Sequence, residues 1–331
     1  MTQLRRWLPA VIAVLATVAI VVTTPHETRA GSTVESAIGD KQLRIMAPAA
    51  PGGGWDQTSR AMQEALRDLV GRTEVYNVAG AGGTIGLSQF VRFDGDPSQL
   101  MTTGLIMVGA VKANHSPYSL DDTTPLVRLT TDYQLVVVPE NSPIKTLADV
   151  AAAMKKDLRA VSVAGGSAGG AEQILAGMMA KSVGANPAQL SYVAHSGGGE
   201  MLSTLLSGRS TIAISGVSEI QPQVDSGEVR ALAVSSPERL DGLPDVPTMR
   251  EAGMNVELQN WRGVVAPKGI STDQKKALET LLVDMAETET WRDILAERGW
   301  GDALLAGEEF EKFVKEEQAR VSQVLDEIGL G

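Results

Sequence analysis

The stretch PAAPGGGWDQTSRAMQEAL, residues 48–66, decides the reading of this chain. Before it Leu43-Arg44-Ile45-Met46-Ala47 reads as a short strand, and Met62, Ala65, Leu66 and Leu69 then recur at i, i+3, i+4 and i+7, one face of a helix. The order is strand, glycine loop, helix. Gly52, Gly53 and Gly54 let backbone N–H groups approach a ligand, and Asp56 or Thr58 is placed to cap the following helix. The first turn of a helix carries unpaired donors and the positive end of its dipole, which suits a carboxylate. A tight turn that binds nothing fits the same residues.

The 331 residues are enough for two domains, each with its own core. A formal charge of −11 speaks against nucleic acid or an anionic membrane surface as a partner, so a bound anion must be held by local dipoles and a few placed donors. With no cysteine, the chain has no disulfide, no thiolate metal site and no cysteine nucleophile. At the N-terminus, Arg5 and Arg6 precede the apolar run 8–22, and Thr28-Arg29-Ala30 presents small residues at the positions a signal peptidase inspects. Residues 1–30 are therefore read as an export leader cleaved after Ala30. Their loss removes Arg5, Arg6, Arg29 and Glu27, a net +2, and leaves −13. An uncleaved anchor is the rival reading, although the run is shorter than the roughly 20 residues a span needs and contains Pro9. The Arg5-Arg6 pair lacks the rest of a twin-arginine motif.

Further along, strands are expected at 73–78 and 99–103, with the loop AGAGGTIG (79–86) after the first of them. A second set begins near Tyr133, with a strand at 135–138 and a helix started by Thr146 and Asp149. Strands at 160–164, 190–193 and 211–214 follow, the first two leading through GGSAGG and HSGGGE into helices at 171–182 and 201–207. Strands at 231–235 and 261–266 flank the proline-rich connection 237–247, and helices at 272–286 and 308–328 end the chain. This alternation predicts two α/β lobes whose glycine loops gather at sheet edges facing a cleft. The C-terminal helices are assigned to the first lobe, which requires the chain to cross between lobes twice.

Several chemistries are weighed and set aside. Gly165-Gly166-Ser167-Ala168-Gly169 matches the nucleophile elbow of a hydrolase, but the only downstream histidine is His195 and the only carboxylate between them is Glu172 on the following helix. The order of a hydrolase triad fails, which leaves Ser167 as a hydroxyl donor and a secreted serine hydrolase as the rival function. Ile85 stands where a dinucleotide fingerprint needs its third glycine, and no Gly-Lys pair exists for a P-loop. With His26, His115 and His195 far apart, neither a metal site nor a cofactor is expected. His195, beside Ser196, Gly197, Gly198 and Gly199, is either a capping residue or a ligand contact; Trp55 and Trp261 are either cleft walls or core.

Taken together, PAAPGGGWDQTSRAMQ, NVAGAGGTIG, YVAHSGGGEMLSTLLSG, RALAVSSPERLDGLPDVPTMREAGM and WRGVVAPKGI, in this order, resemble the extracytoplasmic solute-binding receptors of tripartite tricarboxylate transporters, the Bug family. The resemblance covers nearly the whole chain after residue 30. It implies a two-domain periplasmic-binding-protein (Venus flytrap) α/β fold, with residues 38–132 and 258–331 in one domain and 133–257 in the other. It also implies a small organic anion as ligand and a large and a small membrane subunit as partners. In that family the first two loops hold one carboxylate, partly through water. They map here onto Pro51, Gly52, Gly53, Gly54, Trp55 and Asp56, and onto Gly80, Ala81, Gly82, Gly83 and Thr84. The second domain's helix starts map onto Ser167, Gly169 and Gly170, and onto His195, Ser196, Gly197 and Gly198. Many relatives have Gly-Gly-Pro at 52–54 and Tyr-Lys-Gly at 195–197, so this chain lacks a lysine contact. Its GGGWD loop resembles the citrate-type receptors and points to a tricarboxylate or a dicarboxylate.

The expectation is a monomeric periplasmic receptor that binds this anion unchanged; a receptor feeding a sensor kinase would read the same way.

Overall fold

A computed structural model describes residues 38–39, 41–195 and 197–330; the expected leader 1–30 and Ser196 lie outside the described residues. Strand β1 (Arg44–Ala47) lies parallel between β2 (Glu74–Asn77) and β3 (Gln99–Gly104), with Arg44 opposite both Glu74 and Gln99. Strand β4 (Thr123–Pro139) is long enough to serve two sheets. Its first half pairs antiparallel with β9 (Gln259–Pro267), from Thr123 opposite Pro267 to Tyr133 opposite Gln259, and β9 joins it to β3. On its other side it takes β10 (Gly301–Ala306).

From Gln134 onward the same strand pairs antiparallel with β7 (Ile212–Gly216) and β8 (Val229–Val234). Strand β7 then continues in parallel into β5 (Ser162–Gly165) and β6 (Ser191–Ala194). Two sheets therefore share one strand, and β9 brings the chain back to the first. Ser235 ties the two crossings: its buried hydroxyl accepts from the Gln134 amide at 2.9 Å and donates to the Leu258 carbonyl at 2.7 Å.

Helices follow the strands of both lobes. In the first lobe these are α1 (Gly54–Ala65), α2 (Thr84–Phe90) and α3 (Leu105–Ala113). In the second they are α4 (Leu147–Lys156), α5 (Ala171–Ser182), α6 (Gly198–Leu206) and α7 (Val217–Asp225). Helices α8 (Thr272–Ala286), α9 (Glu289–Arg298) and α10 (Gly307–Glu327) end the chain. A reciprocal capping box starts α4: the Asp149 amide donates to Thr146 Oγ1 and the Thr146 amide to the Asp149 carboxylate.

One core cluster joins Ile45, Met62 and Leu126 to Leu278, Leu281 and Trp291 of the C-terminal helices. Another, around Leu135, Ala213 and Val217, lies in the second lobe. A third crosses between them, packing Trp55 and Leu105 with Ile174 of α5 and with Val321 and Leu325 of α10. The C-terminal helix thus begins on the first lobe, and its end lies against the second, where a Cβ on Gly177 would stand 2.7 Å from Ile328.

Strand β10 and helix α9 were not expected between the helices read at 272–286 and 308–328, and three further elements differ from the sequence expectation. Strand β4 starts well before residue 135 because its first half carries Pro125 and the buried polar residues Thr130, Thr131 and Asp132, which read as a loop. Helix α3 is apolar almost all round and shows no stripe. Helix α7 contains Pro222, which argues against a helix when read from sequence alone.

Candidate functional site

The first glycine loop is built by Asp56. Its carboxylate accepts from the Gly52 amide at 2.8 Å, from Asn77 Nδ2 at 2.8 Å and from Arg60 Nε at 3.1 Å, while Asn77 also donates to the Ala49 carbonyl at 3.0 Å. Burial pushes the Asp56 carboxyl up, but these donors outweigh it and hold the group below its ordinary value of 3.8. The loop is thereby stitched to the end of β2. Helix α1 begins after Gly53 with no cap from that residue's side chain, and its Gly54 amide donates to the Glu219 carboxylate of the opposite lobe. Gly54 sits where nothing larger fits: a Cβ there would stand 2.7 Å from Arg262 Nη2.

The second loop, residues 80–83, runs through positive φ at all four positions, including 49° at Ala81. A Cβ on Gly83 would meet the Trp55 ring at 2.7 Å. Thr84 donates from Oγ1 back to the Ala81 carbonyl at 2.9 Å, closing the turn.

These loops wall a cavity of about 560 Å³ at the carboxyl ends of the parallel strands, a size suited to a small ligand. Of the residues expected from sequence, Pro51, Gly52, Gly53, Gly54 and Trp55 line it, as do Gly80, Ala81, Gly82 and Gly83. From the opposite lobe come Ser167, His195, Gly197 and Gly198. Four stand behind the wall: Asp56 and Thr84 brace their loops, the Gly169 amide donates to Gln173 Oε1 at 2.8 Å, and the Gly170 amide donates to the Ser167 carbonyl at 2.9 Å. Trp261 is core, its Nε1 donating to Glu317 at 3.0 Å.

His195 presents a ring whose nitrogens are both engaged. Nδ1 lies 3.0 Å from the Gly165 carbonyl, and Nε2 lies 2.8 Å from Thr204 Oγ1. A carbonyl only accepts, so Nδ1 donates there, while Nε2 shares its hydrogen bond with the Thr204 hydroxyl. The ring therefore braces its loop and is not directed at Ser167 as a general base.

Sequence reasoning missed the charged part of the cavity. Arg262, on β9, lines it with its side chain only 3% exposed, and Nη2 pairs with Asp132 at 3.1 Å. Its guanidinium also lies 5.0 Å from the Trp300 ring centroid. Ser218 donates to Asp132 at 2.9 Å and the Tyr133 amide does so at 2.8 Å. Burial pushes the Asp132 carboxyl up, and Arg262, Ser218 and the Tyr133 amide oppose it. Two acids line the cavity, Glu172 in the first turn of α5 and Glu219 in the first turn of α7. Burial raises both, Glu172 to about 7. For Glu219 the opposing influences include Arg262 and the Gly54 amide. Acidic residues in first turns are ordinary N-terminal helix residues in a sequence, so nothing marked these two.

A family model described as "Tripartite tricarboxylate transporter family receptor" matches residues 58–330. The chain belongs to this receptor family. Its members bind solutes and do not transform them, so the chain is a binding protein, not an enzyme. Solved structures share the two-lobed periplasmic-binding-protein fold. The periplasmic binding protein BugD matches with a TM-score of 0.78 at 24% identity over 88% of this chain and 98% of that one. MatC of Rhodopseudomonas palustris, with bound malate, gives 0.76 at 24% identity over 87% and 99%. R. palustris Rpa4515, with adipate, gives 0.79 at 22% identity over 88% and 98%. Among the described residues no helix is long and apolar enough to cross a membrane.

Proposed function

We propose that this receptor captures a small organic carboxylate between its lobes and delivers it to a tripartite tricarboxylate transporter with a large and a small membrane subunit. The observation that carries the reading is the cavity walled from both sides by glycine-rich helix starts. Single helix ends contribute about 0.3–2 kcal/mol, so micromolar affinity, about 8 kcal/mol, needs several to converge, and here residues at the starts of α1, α6 and α7 line one space. The malate and adipate held by two proteins of the same fold support a dicarboxylate, and the family description supports a tricarboxylate such as citrate.

In this reading residues 38–132 and 258–331 form one domain and 133–257 the other. The hinge lies where Ser235 joins Gln134 to Leu258. The leader 1–30 directs a monomeric protein to the periplasm. Closure on the ligand presents the surface that the membrane subunits engage.

Calorimetry with citrate, malate, succinate, glutamate and aromatic carboxylates on protein stripped of co-purified ligand tests the proposal. Micromolar binding of at least one acid is expected; silence across the set contradicts it.

A further inference from the structure

Resting on that reading, we propose that the carboxylate ligand also carries an ammonium group, which Glu172 and Glu219 receive on the second-lobe side of the cavity. Among the described residues, the formally charged side chains lining the cavity are Arg262, Glu172 and Glu219. The Arg262 charge is already matched by Asp132, 3.1 Å away and itself outside the cavity lining. Two carboxylates are thus left facing the space without a cation of their own. Glu172 is 8% exposed and its Oε2 has no hydrogen-bond partner. Arg262 is 2% exposed and its Nη1 likewise has none. A buried acceptor and a buried donor therefore both wait on one ligand, a pattern that a zwitterion completes.

A ligand with carboxylates only would satisfy Arg262 Nη1 and the helix-start amides but would place further negative charge among Glu172, Glu219 and Asp132. An ammonium removes that repulsion and supplies three donors. The net charge of −11 works in the same direction, drawing a cationic group towards the protein. The raised Glu172 value records the same imbalance, since burial and its acidic neighbours disfavour the charged form when no cation is bound. A rival arrangement keeps both glutamic acids protonated, so that they donate to a simple dicarboxylate; it predicts the opposite selectivity.

The test is calorimetry at pH 7.5 on refolded, ligand-free protein with succinate, 4-aminobutanoate, aspartate and butylamine. Either amino acid should bind at least about tenfold more tightly than succinate, as charge-assisted hydrogen bonds in a buried site require. Glu172→Gln and Glu219→Gln, each with a cooperative melt as a folding control, should bring the amino acids and succinate to within about threefold of one another. Succinate binding as tightly as both amino acids, or a preference unmoved by either substitution, overturns the inference and leaves the carboxylate reading intact. Butylamine binding as tightly as 4-aminobutanoate would instead remove the carboxylate reading and keep the acid pair. Heat from none of the four overturns the inference, while the wider acid set still judges the carboxylate reading.

Discussion

The Arg262 guanidinium lies flush against Gly54, where a Cβ would stand 2.7 Å from Nη2 and 3.0 Å from Cζ. A guanidinium is the movable end of a side chain, yet this one is held by Asp132 and lies against Trp300. Gly54→Ala should therefore displace Arg262 from the cavity wall. We expect a stability loss of about 1–3 kcal/mol and at least about tenfold weaker ligand binding. Melting and calorimetry of the variant check this, and unchanged affinity would remove Arg262 from the binding account.

Asp56 lies outside the cavity lining and acts on it through Gly52 and Asn77. Asp56→Asn keeps the size of the side chain but replaces a carboxylate oxygen that accepts from the Gly52 amide. A loss of about 1–3 kcal/mol is expected at neutral pH, together with weaker binding. Because the folded-state value lies below the ordinary 3.8, the wild-type advantage is full above 3.8 and fades as pH falls through the lower value. Chemical denaturation of both proteins between pH 2 and 7 measures the gap; a constant gap would contradict the assignment.

Glu172 predicts the opposite slope. Its value rises from 4.5 to about 7 on folding, so the folded state holds the proton more tightly and stability falls as pH rises from 4.5 towards 7. Glu172→Gln, which is never charged, should be more stable than the ligand-free wild type at pH 8, by about 1–3 kcal/mol, and the two should converge near pH 4.5. Parallel stability curves for the two proteins would refute this.

Ser235 links the two crossing segments through one hydroxyl. Ser235→Ala leaves the Gln134 amide without its acceptor in a fully buried position. We expect a loss of about 1–3 kcal/mol, with weaker affinity through a less defined closure while the residues that line the cavity stay in place. A variant with wild-type melting would show that the crossings are held by backbone pairing alone.

The alternation of strands, glycine loops and helices was legible because turns and capping leave local signatures, as Gly52–Gly54 and the Thr146–Asp149 box show. Both walls of the cavity could be found this way, since a run of glycines after a strand is visible without knowing the fold. Arg262, Glu172 and Glu219 could not. Arg262 sits inside an apolar strand, and the two acids sit in first turns where acidic residues are common; only the sheet order brings them to one space. The first half of β4 was hidden for a related reason, because its polar residues are buried inside the protein.

The most direct measurement is native mass spectrometry of freshly isolated protein, compared with the denatured chain. One extra mass released on unfolding is expected, equal to a single small acid, with its loss or marked reduction in Gly54→Ala. A bound species with no carboxylate, or an acid retained equally by Gly54→Ala, would contradict the claim that glycine-rich helix starts from two lobes hold the ligand between them.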